Sequence, residues 1–261
     1  MEKLFSGQKA ILGCVHLPPM PGTPYYKGMS VAEMEEWALK DARCLVEAGF
    51  DGFVFANEGD RPYTAPVGPE VVAIYTRIVR TVISQYPKPF GVGVLVDPLA
   101  TLGLAKAVGA DFVRMYISGV FAGVFGFHAH NPYEILSYRK RIAAEDIAIF
   151  LNITPHAGTS LDTRPVTEIV DSLFLVFEPD VLLVPGPRAG LAPDKNVVKQ
   201  LRAKFPQHKL VVSSGVSVSN VKDFIDDVDG LIVGTALKEN GVLWNPVAPE
   251  RAKQFMDAVR G

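Results

Sequence analysis

Cysteine is scarce, with only Cys14 and Cys44 among 261 residues. A disulfide framework is therefore excluded as the source of stability, and reduced thiols in a cytoplasmic setting are expected. Charge of one sign is also lacking: Lys and Arg number 26 against 28 Asp and Glu, for a formal net charge of −2, with no basic cluster. That removes the electrostatic footprint of a nucleic-acid partner. No uncharged apolar run approaches the roughly 18 residues that suggest a membrane span. The N-terminal stretch MEKLFSGQKAILGCV has only a short apolar run, broken at Gly13, with no small-residue cleavage pattern before His16. Neither a signal peptide nor a transmembrane segment is expected, while peripheral contact with a membrane stays open. A Walker-type loop and a G-x-G-x-x-G turn after the first strand are missing too. So is a lysine at any strand end, which argues against a Schiff-base aldolase.

What is present is a globular balance, 48% apolar and 21% charged residues. The length matches a (β/α)8 barrel, about 250 residues, and residues 1–261 are read as one such domain. Short runs rich in Val, Ile, Leu and Phe recur at 10–15, 52–56, 90–96, 112–117, 147–153, 180–184, 209–214 and 230–234. Continuous apolar runs of this kind fit strands covered on both faces. Longer segments with helical apolar spacing separate them, the first opened by a capping box of Ser30 and Glu33. A doubly wound sheet is the rival architecture, since the same alternation feeds it. Eight strands favour the barrel.

In a barrel the loops after the strands build the active site. Ser214-Gly215 ends the seventh barrel strand, with a helix expected to start near Ser217, and Gly234-Thr235 ends the eighth before a short helix at Ala236. Glycines there admit close backbone approach, hydroxyls add donors, and free N–H groups favour an anion. Ser214, Gly215, Gly234 and Thr235 therefore form a candidate phosphate cup. Lys238 either adds charge beside it or is an ordinary exposed lysine.

The chain resembles the BtpA/SgcQ family nearly end to end. The resemblance rests on GCVHLPPMPGTP (13–24), NEGDRPY (57–63), GVGVLV (91–96), FVRMYISG (112–119), PHA (155–157), SSGVSVSN (213–220) and VGTALKENG (233–241). It implies a TIM barrel of the ribulose-phosphate-binding type. Some members are linked to photosystem I biogenesis and others sit among sugar-metabolism genes. Two stretches depart from the family pattern. Glu-Asn-Phe-Gly-Asp is replaced by Ala56-Asn57-Glu58-Gly59-Asp60, and Leu-Arg-Asn-Asp by Leu95-Val96-Asp97-Pro98.

Polar residues near strand ends give the candidate reacting groups: His16, Asn57, Glu58, Asp60, Asp97, Arg114, Asn152 and His156. His16 and His156 could exchange protons near neutral pH. Glu58 and Asp60 are two acids on one loop and could divide acid and base roles, although Asp60 before Arg61 also fits a surface pair. Asp97 before Pro98 is equally a helix cap. Arg114 lies inside an apolar strand and needs an anionic partner, either Asp60, Asp97 or a substrate oxyanion. No cofactor is expected, although a divalent metal on His16, His156 and an acid is conceivable. His128 and His130, in FAGVFGFHAHNP, are assigned to a lid or an interface. The apolar residues around them need a cover, and a homo-oligomer is expected.

These residues point to an enzyme performing acid/base chemistry, of isomerase, epimerase or lyase type, on a phosphorylated sugar-like molecule. The alternative is a non-catalytic factor assisting biogenesis of a membrane complex such as photosystem I, for which the resemblance and the apolar 120–127 stretch speak.

Overall fold

A computed structural model describes residues 4, 5 and 7–261. The eight apolar runs become parallel strands: β1 (Ala10–His16), β2 (Gly52–Ala56), β3 (Phe90–Gly93), β4 (Phe112–Met115), β7 (Ala148–Asn152), β9 (Val181–Val184), β10 (Lys209–Val212) and β11 (Gly230–Val233). They close in the order β1-β11-β10-β9-β7-β4-β3-β2. Closure runs from Ala10 opposite Gly230 to Gly13 opposite Val233, and it excludes the open doubly wound sheet.

Period-2 alternation sorts each strand. Ala10, Leu12 and Cys14 join Val54, Phe112, Phe150, Val181, Leu183, Val211 and Ile232 in the barrel interior. Phe112 and Phe150 stack at its centre, ring centroids 4.0 Å apart. Ile11 and Val15 face the other way, into the layer beneath the helices. That outer layer comprises α1 (Val31–Ala48), α2 (Pro69–Gln85), α3 (Pro98–Val108), α4 (Pro132–Arg141), α5 (Val166–Phe174), α6 (Lys195–Lys204) and α7 (Pro249–Arg260). The capping box of α1 is formed: Ser30 accepts from the Glu33 N–H while the Glu33 carboxylate takes the Ser30 N–H at 2.7 Å.

Three expectations are corrected. The third barrel strand stops at Gly93 rather than reaching Val96. Its continuation is diverted by side chains, with Thr101 Oγ1 taking the Val94 N–H and Asn57 Oδ1 the Leu95 N–H, and Val96 adopts φ 62°. After β10 no α-helix begins at Ser217, and only 3-10 turns form at Val221–Asp223 and Ile225–Asp227. The polar side chains compete with the backbone there: Asn220 Oδ1 accepts the Ser217 N–H and its Nδ2 donates to the Gly215 carbonyl. The long segment after β4 is not an irregular loop. It folds as a hairpin of β5 (Gly119–Gly123) and β6 (Gly126–His130), extended by β8 (Gly158–Ser160) into a small antiparallel sheet.

Lys238 is neither a rim charge nor exposed. It is fully buried, with Nζ 2.6 Å from Asp41 Oδ2 on α1, whose Oδ1 accepts the Val247 N–H at 2.6 Å. Two charges out of water are tolerated only because each satisfies the other. Lys238→Met is expected to lower the unfolding free energy by about 3–5 kcal/mol. Lys238→Met with Asp41→Asn, which removes both charges and keeps an acceptor for Val247, should recover part of that loss. Urea denaturation of both variants checks this.

Candidate functional site

Because the strands are parallel, their C-terminal ends share one mouth, and alternation carries the inward-facing side chains up to it. Above Cys14 comes His16, above Phe112 comes Arg114, above Phe150 comes Asn152 and above Val211 comes Ser213. The mouth holds a cavity of 470 Å³. Its walls include Phe55, Tyr63, Tyr116, Leu243 and Trp244, and the hairpin supplies Phe121, Phe125, His128 and His130. The hairpin is a lid: Phe125 at its tip meets Tyr63 at 4.8 Å, while Phe121 packs on Tyr116 at 5.2 Å.

The candidate reacting residues divide into two groups. Glu58, Arg114, Asn152 and His156 line the cavity. His16, Asn57 and Asp60 do not, and Asp97 touches it with a carboxylate already committed. Asp97 Oδ1 caps α3 through the Ala100 N–H at 2.9 Å, and Oδ2 takes the Val67 N–H at 2.9 Å. Asp60 accepts from the Met20 N–H at 2.8 Å and from Asn57 Nδ2 at 3.0 Å. Asn57 in turn reaches Leu95, so one network ties the loops after β1, β2 and β3 together. Burial raises the pKa of Asp60, against the hydrogen bonds from Met20, Asn57 and Thr23. His16 lies beneath the mouth with Nδ1 unpartnered, and a Cβ on Gly234 would stand 2.9 Å from its ring. Burial, then Lys238 and Arg114, hold its pKa well below the usual value. His16 and His156 are not brought together with an acid, and among the described residues no His, Cys, Asp and Glu cluster could hold a metal.

Glu58 is the carboxyl group of the cavity. Tyr63 donates its hydroxyl to Oε2 at 2.6 Å. Burial raises the Glu58 pKa above the ordinary range, opposed by that hydrogen bond and by the charges of Arg114 and Lys238. Arg114 makes no ion pair among the described residues. Its one hydrogen bond is a long one, Nη2 to the Ser213 carbonyl at 3.4 Å, one residue before the cup. Four polar atoms around the cavity are buried without partners: Asn152 Oδ1 and the Nε2 atoms of His128, His130 and His156. Burial lowers the pKa of His156 to about 4, with Arg114 adding to the shift, and that of His130 to about 4, with His128 adding.

Of the cup residues, Thr235 faces the cavity. Ser214 Oγ is engaged elsewhere, accepting the Gly186 N–H at 2.6 Å and donating to the Leu191 carbonyl. Gly215, at φ 70°, lies under the loop after β9, where a Cβ would fall 1.9 Å from the Leu191 carbonyl carbon. Among the described residues the N–H groups of Gly215, Thr235 and Ala236 meet no acceptor in the turns around them. That overlying loop, PGPRAG, carries Arg188 into the cavity lining. Sequence reasoning missed Arg188, although a basic residue between two glycines after a barrel strand was the available signal.

Fold and mouth define a (β/α)8 barrel with a lidded cavity lined by Arg114, Arg188 and Thr235. The BtpA family profile matches residues 7–261, and the chain belongs to that family. The sgc-region protein SgcQ of Escherichia coli (strain K12) is 33% identical over 262 residues, covering 99% of this chain and 97% of its own. The photosystem I biogenesis protein BtpA of Synechocystis is 28% identical over 258 residues, covering 98% and 89%. Among solved structures, (S)-3-O-geranylgeranylglyceryl phosphate synthase from Thermoplasma acidophilum, in complex with sn-glycerol-1-phosphate, superposes with a TM-score of 0.64 at 11% identity. The match covers 99% of this chain and 96% of that one.

The lowered histidines have a consequence for stability. Between pH 6.5 and about 4 the unfolded chain binds protons that folded His130 and His156 refuse. Their contribution is fully present above pH 6.5 and is lost as the pH falls toward 4. The melting temperature is expected to drop across that window, and His130→Asn with His156→Asn to flatten the drop, as read by scanning calorimetry.

Proposed function

We propose that the chain is an enzyme that binds a phosphorylated, sugar-like small molecule and moves protons on it, as isomerases, epimerases and lyases do. The observation that carries this reading is the Arg114 guanidinium, without an ion pair among the described residues, in a cavity that Thr235 also lines. Thr235, like Gly215 and Ala236, has an N–H group that meets no acceptor among those residues. A half-buried cation without an ion-pair partner, in a cavity walled in part by a turn with free backbone donors, fits an anionic ligand. Arg188 adds a second guanidinium from the covering loop.

Glu58 suits the proton-transfer role. It lies in the cavity, its raised pKa moves it toward the range where a carboxyl can both give and take a proton, and Tyr63 fixes its orientation. His156 is neutral and unpartnered at Nε2, and serves as the second group. The sn-glycerol-1-phosphate held by the glycerylphosphate synthase accords with this reading through the shared fold alone. We take residues 1–261 to act as one barrel unit in the cytoplasm, and two unpaired buried cysteines suit a reducing compartment.

A second reading, assistance to a membrane complex, draws on one observation. Val120, Phe127 and Leu161 are exposed on the outer side of the lid sheet, Phe127 by 76%. No helix among the described residues is long and apolar enough to cross a membrane. Under this reading the chain cosediments with membranes, and Val120→Lys with Phe127→Lys abolishes it.

The enzyme reading is tested by titration calorimetry with inorganic phosphate, glycerol 1-phosphate and ribose 5-phosphate. Binding is expected to weaken at least tenfold in Thr235→Glu and Arg188→Ala. Incubation with ribose 5-phosphate in D2O, where the open aldehyde acidifies the C2 hydrogen, should give carbon-bound deuterium by mass spectrometry, reduced about 100-fold in Glu58→Gln. Absence of any phosphate binding would overturn the proposal.

A further inference from the structure

The strand order sets what a ligand must cross. The cup lies between β10 and β11, and across the barrel stand β3 and β4, with the lid rising from β4 and β7. A molecule anchored by its phosphate at Thr235 therefore extends away from the cup and under the hairpin. What meets it there is aromatic. Tyr63 and Phe125 form one pair, 4.8 Å apart, and Tyr116 with His130 forms another, stacked within 14° of parallel. The cavity of 470 Å³ lies within the range of about 300–1,000 Å³ that encloses a drug-sized ligand, larger than a bare pentose phosphate.

Apart from Glu58 beside Tyr63, the polar groups at this end are few. His128, His130 and His156 each present a buried Nε2 without a partner, and Asn152 presents Oδ1. A neutral imidazole nitrogen either donates or accepts, according to its tautomer. Apolar aromatic walls with a small number of hydrogen-bonding groups suit a flat ring bearing nitrogen and carbonyl edges. A polyol would leave most of those walls against hydroxyls.

We propose that the ligand is a sugar phosphate carrying a planar aromatic or heteroaromatic ring, its phosphate at Thr235 and its ring beneath the β5–β6 lid. This rests on the phosphate-binding reading above and adds the identity of the ligand's far end. The lid is then a ring-recognition element as well as a cover, with Phe125 and His130 setting specificity.

Calorimetric titrations of ribose 5-phosphate, adenosine 5′-monophosphate, uridine 5′-monophosphate and phenyl phosphate test it, with inorganic phosphate as reference. At least one ring-bearing phosphate is expected to bind ten times more tightly than ribose 5-phosphate. Phe125→Ala sits in the hairpin turn, and His130→Phe keeps the stack on Tyr116 while removing both ring nitrogens. Each variant should cut that preference below threefold and leave inorganic phosphate binding unchanged. Equal affinity for ribose 5-phosphate and every ring-bearing phosphate overturns the ring assignment while the phosphate reading stands. A ring preference that survives both variants also overturns it. No binding of any of the five, inorganic phosphate included, overturns both.

Discussion

Closure of β1 on β11 is the constraint on which the rest depends. It turns eight parallel strands into a ring, so every strand delivers its last inward-facing residue to one mouth. It also leaves the chain after β11 with nowhere to go except back across the mouth toward α7. The buried Lys238–Asp41 pair holds that return, with Asp41 bonded at once to Lys238 and to Val247. The residues so pinned include Thr235 at one end and Leu243 and Trp244 at the other, which together form one wall of the cavity. Trp244 is further held by the Arg61 guanidinium, 3.7 Å above its ring, which joins this wall to the loop after β2. An ion pair outside the cavity lining thus sets the shape of one cavity wall.

The mouth so built is electrostatically lopsided. Two of its nearby acids are committed: Asp97 caps a helix and Asp60 binds the loops after β1 and β2. Glu58 opposes Arg114, but burial favours its protonated form. The guanidinium consequently acts on the neighbouring imidazoles, and its charge contributes to keeping both His16 and His156 neutral. A lidded cavity with a guanidinium and with imidazoles that burial keeps neutral, His130 and His156, favours an anion, since a lower local dielectric strengthens the attraction between opposite charges.

Much of this was legible in the sequence because it rests on local rules. Continuous apolar runs marked the eight barrel strands, Ser30 and Glu33 marked a helix start, and alternation from Phe112 to Arg114 put a charge at a barrel mouth. What was not legible depended on tertiary partners. Asp60, Asn57 and Asp97 look like rim chemistry in one dimension, and only the positions of Met20, Leu95 and Val67 show their oxygens to be spoken for. Lys238 lay in a turn signal that reads as exposed, and its burial required α1 to place Asp41 against it. A lid was expected around His128 and His130, but its hairpin form escaped because Gly119, Gly123 and Gly126 read as loop, whereas two of them flank a tight hairpin turn at Val124-Phe125. Arg188 was passed over because its loop acquires meaning only when Gly215 lets it lie across the cup.

The departure from the family pattern after β2 acquires a physical sense from the same geometry. The resemblance puts a glutamate where this chain has Ala56 and a phenylalanine where it has Glu58. Positions 56 and 58 both line the cavity. The exchange therefore moves the carboxyl two residues along one wall without removing it from the mouth, and puts a small residue at the strand end. At 58 the carboxyl lies beside Tyr63, which donates to it, and Tyr63 is the residue on which the lid tip rests through Phe125. Position 56 adjoins the barrel floor, whereas position 58 is linked through Tyr63 to the lid. Glu58 is thus coupled to the element that covers the cavity, and a change in how Phe125 seats on Tyr63 reaches a carboxyl group whose pKa burial raises.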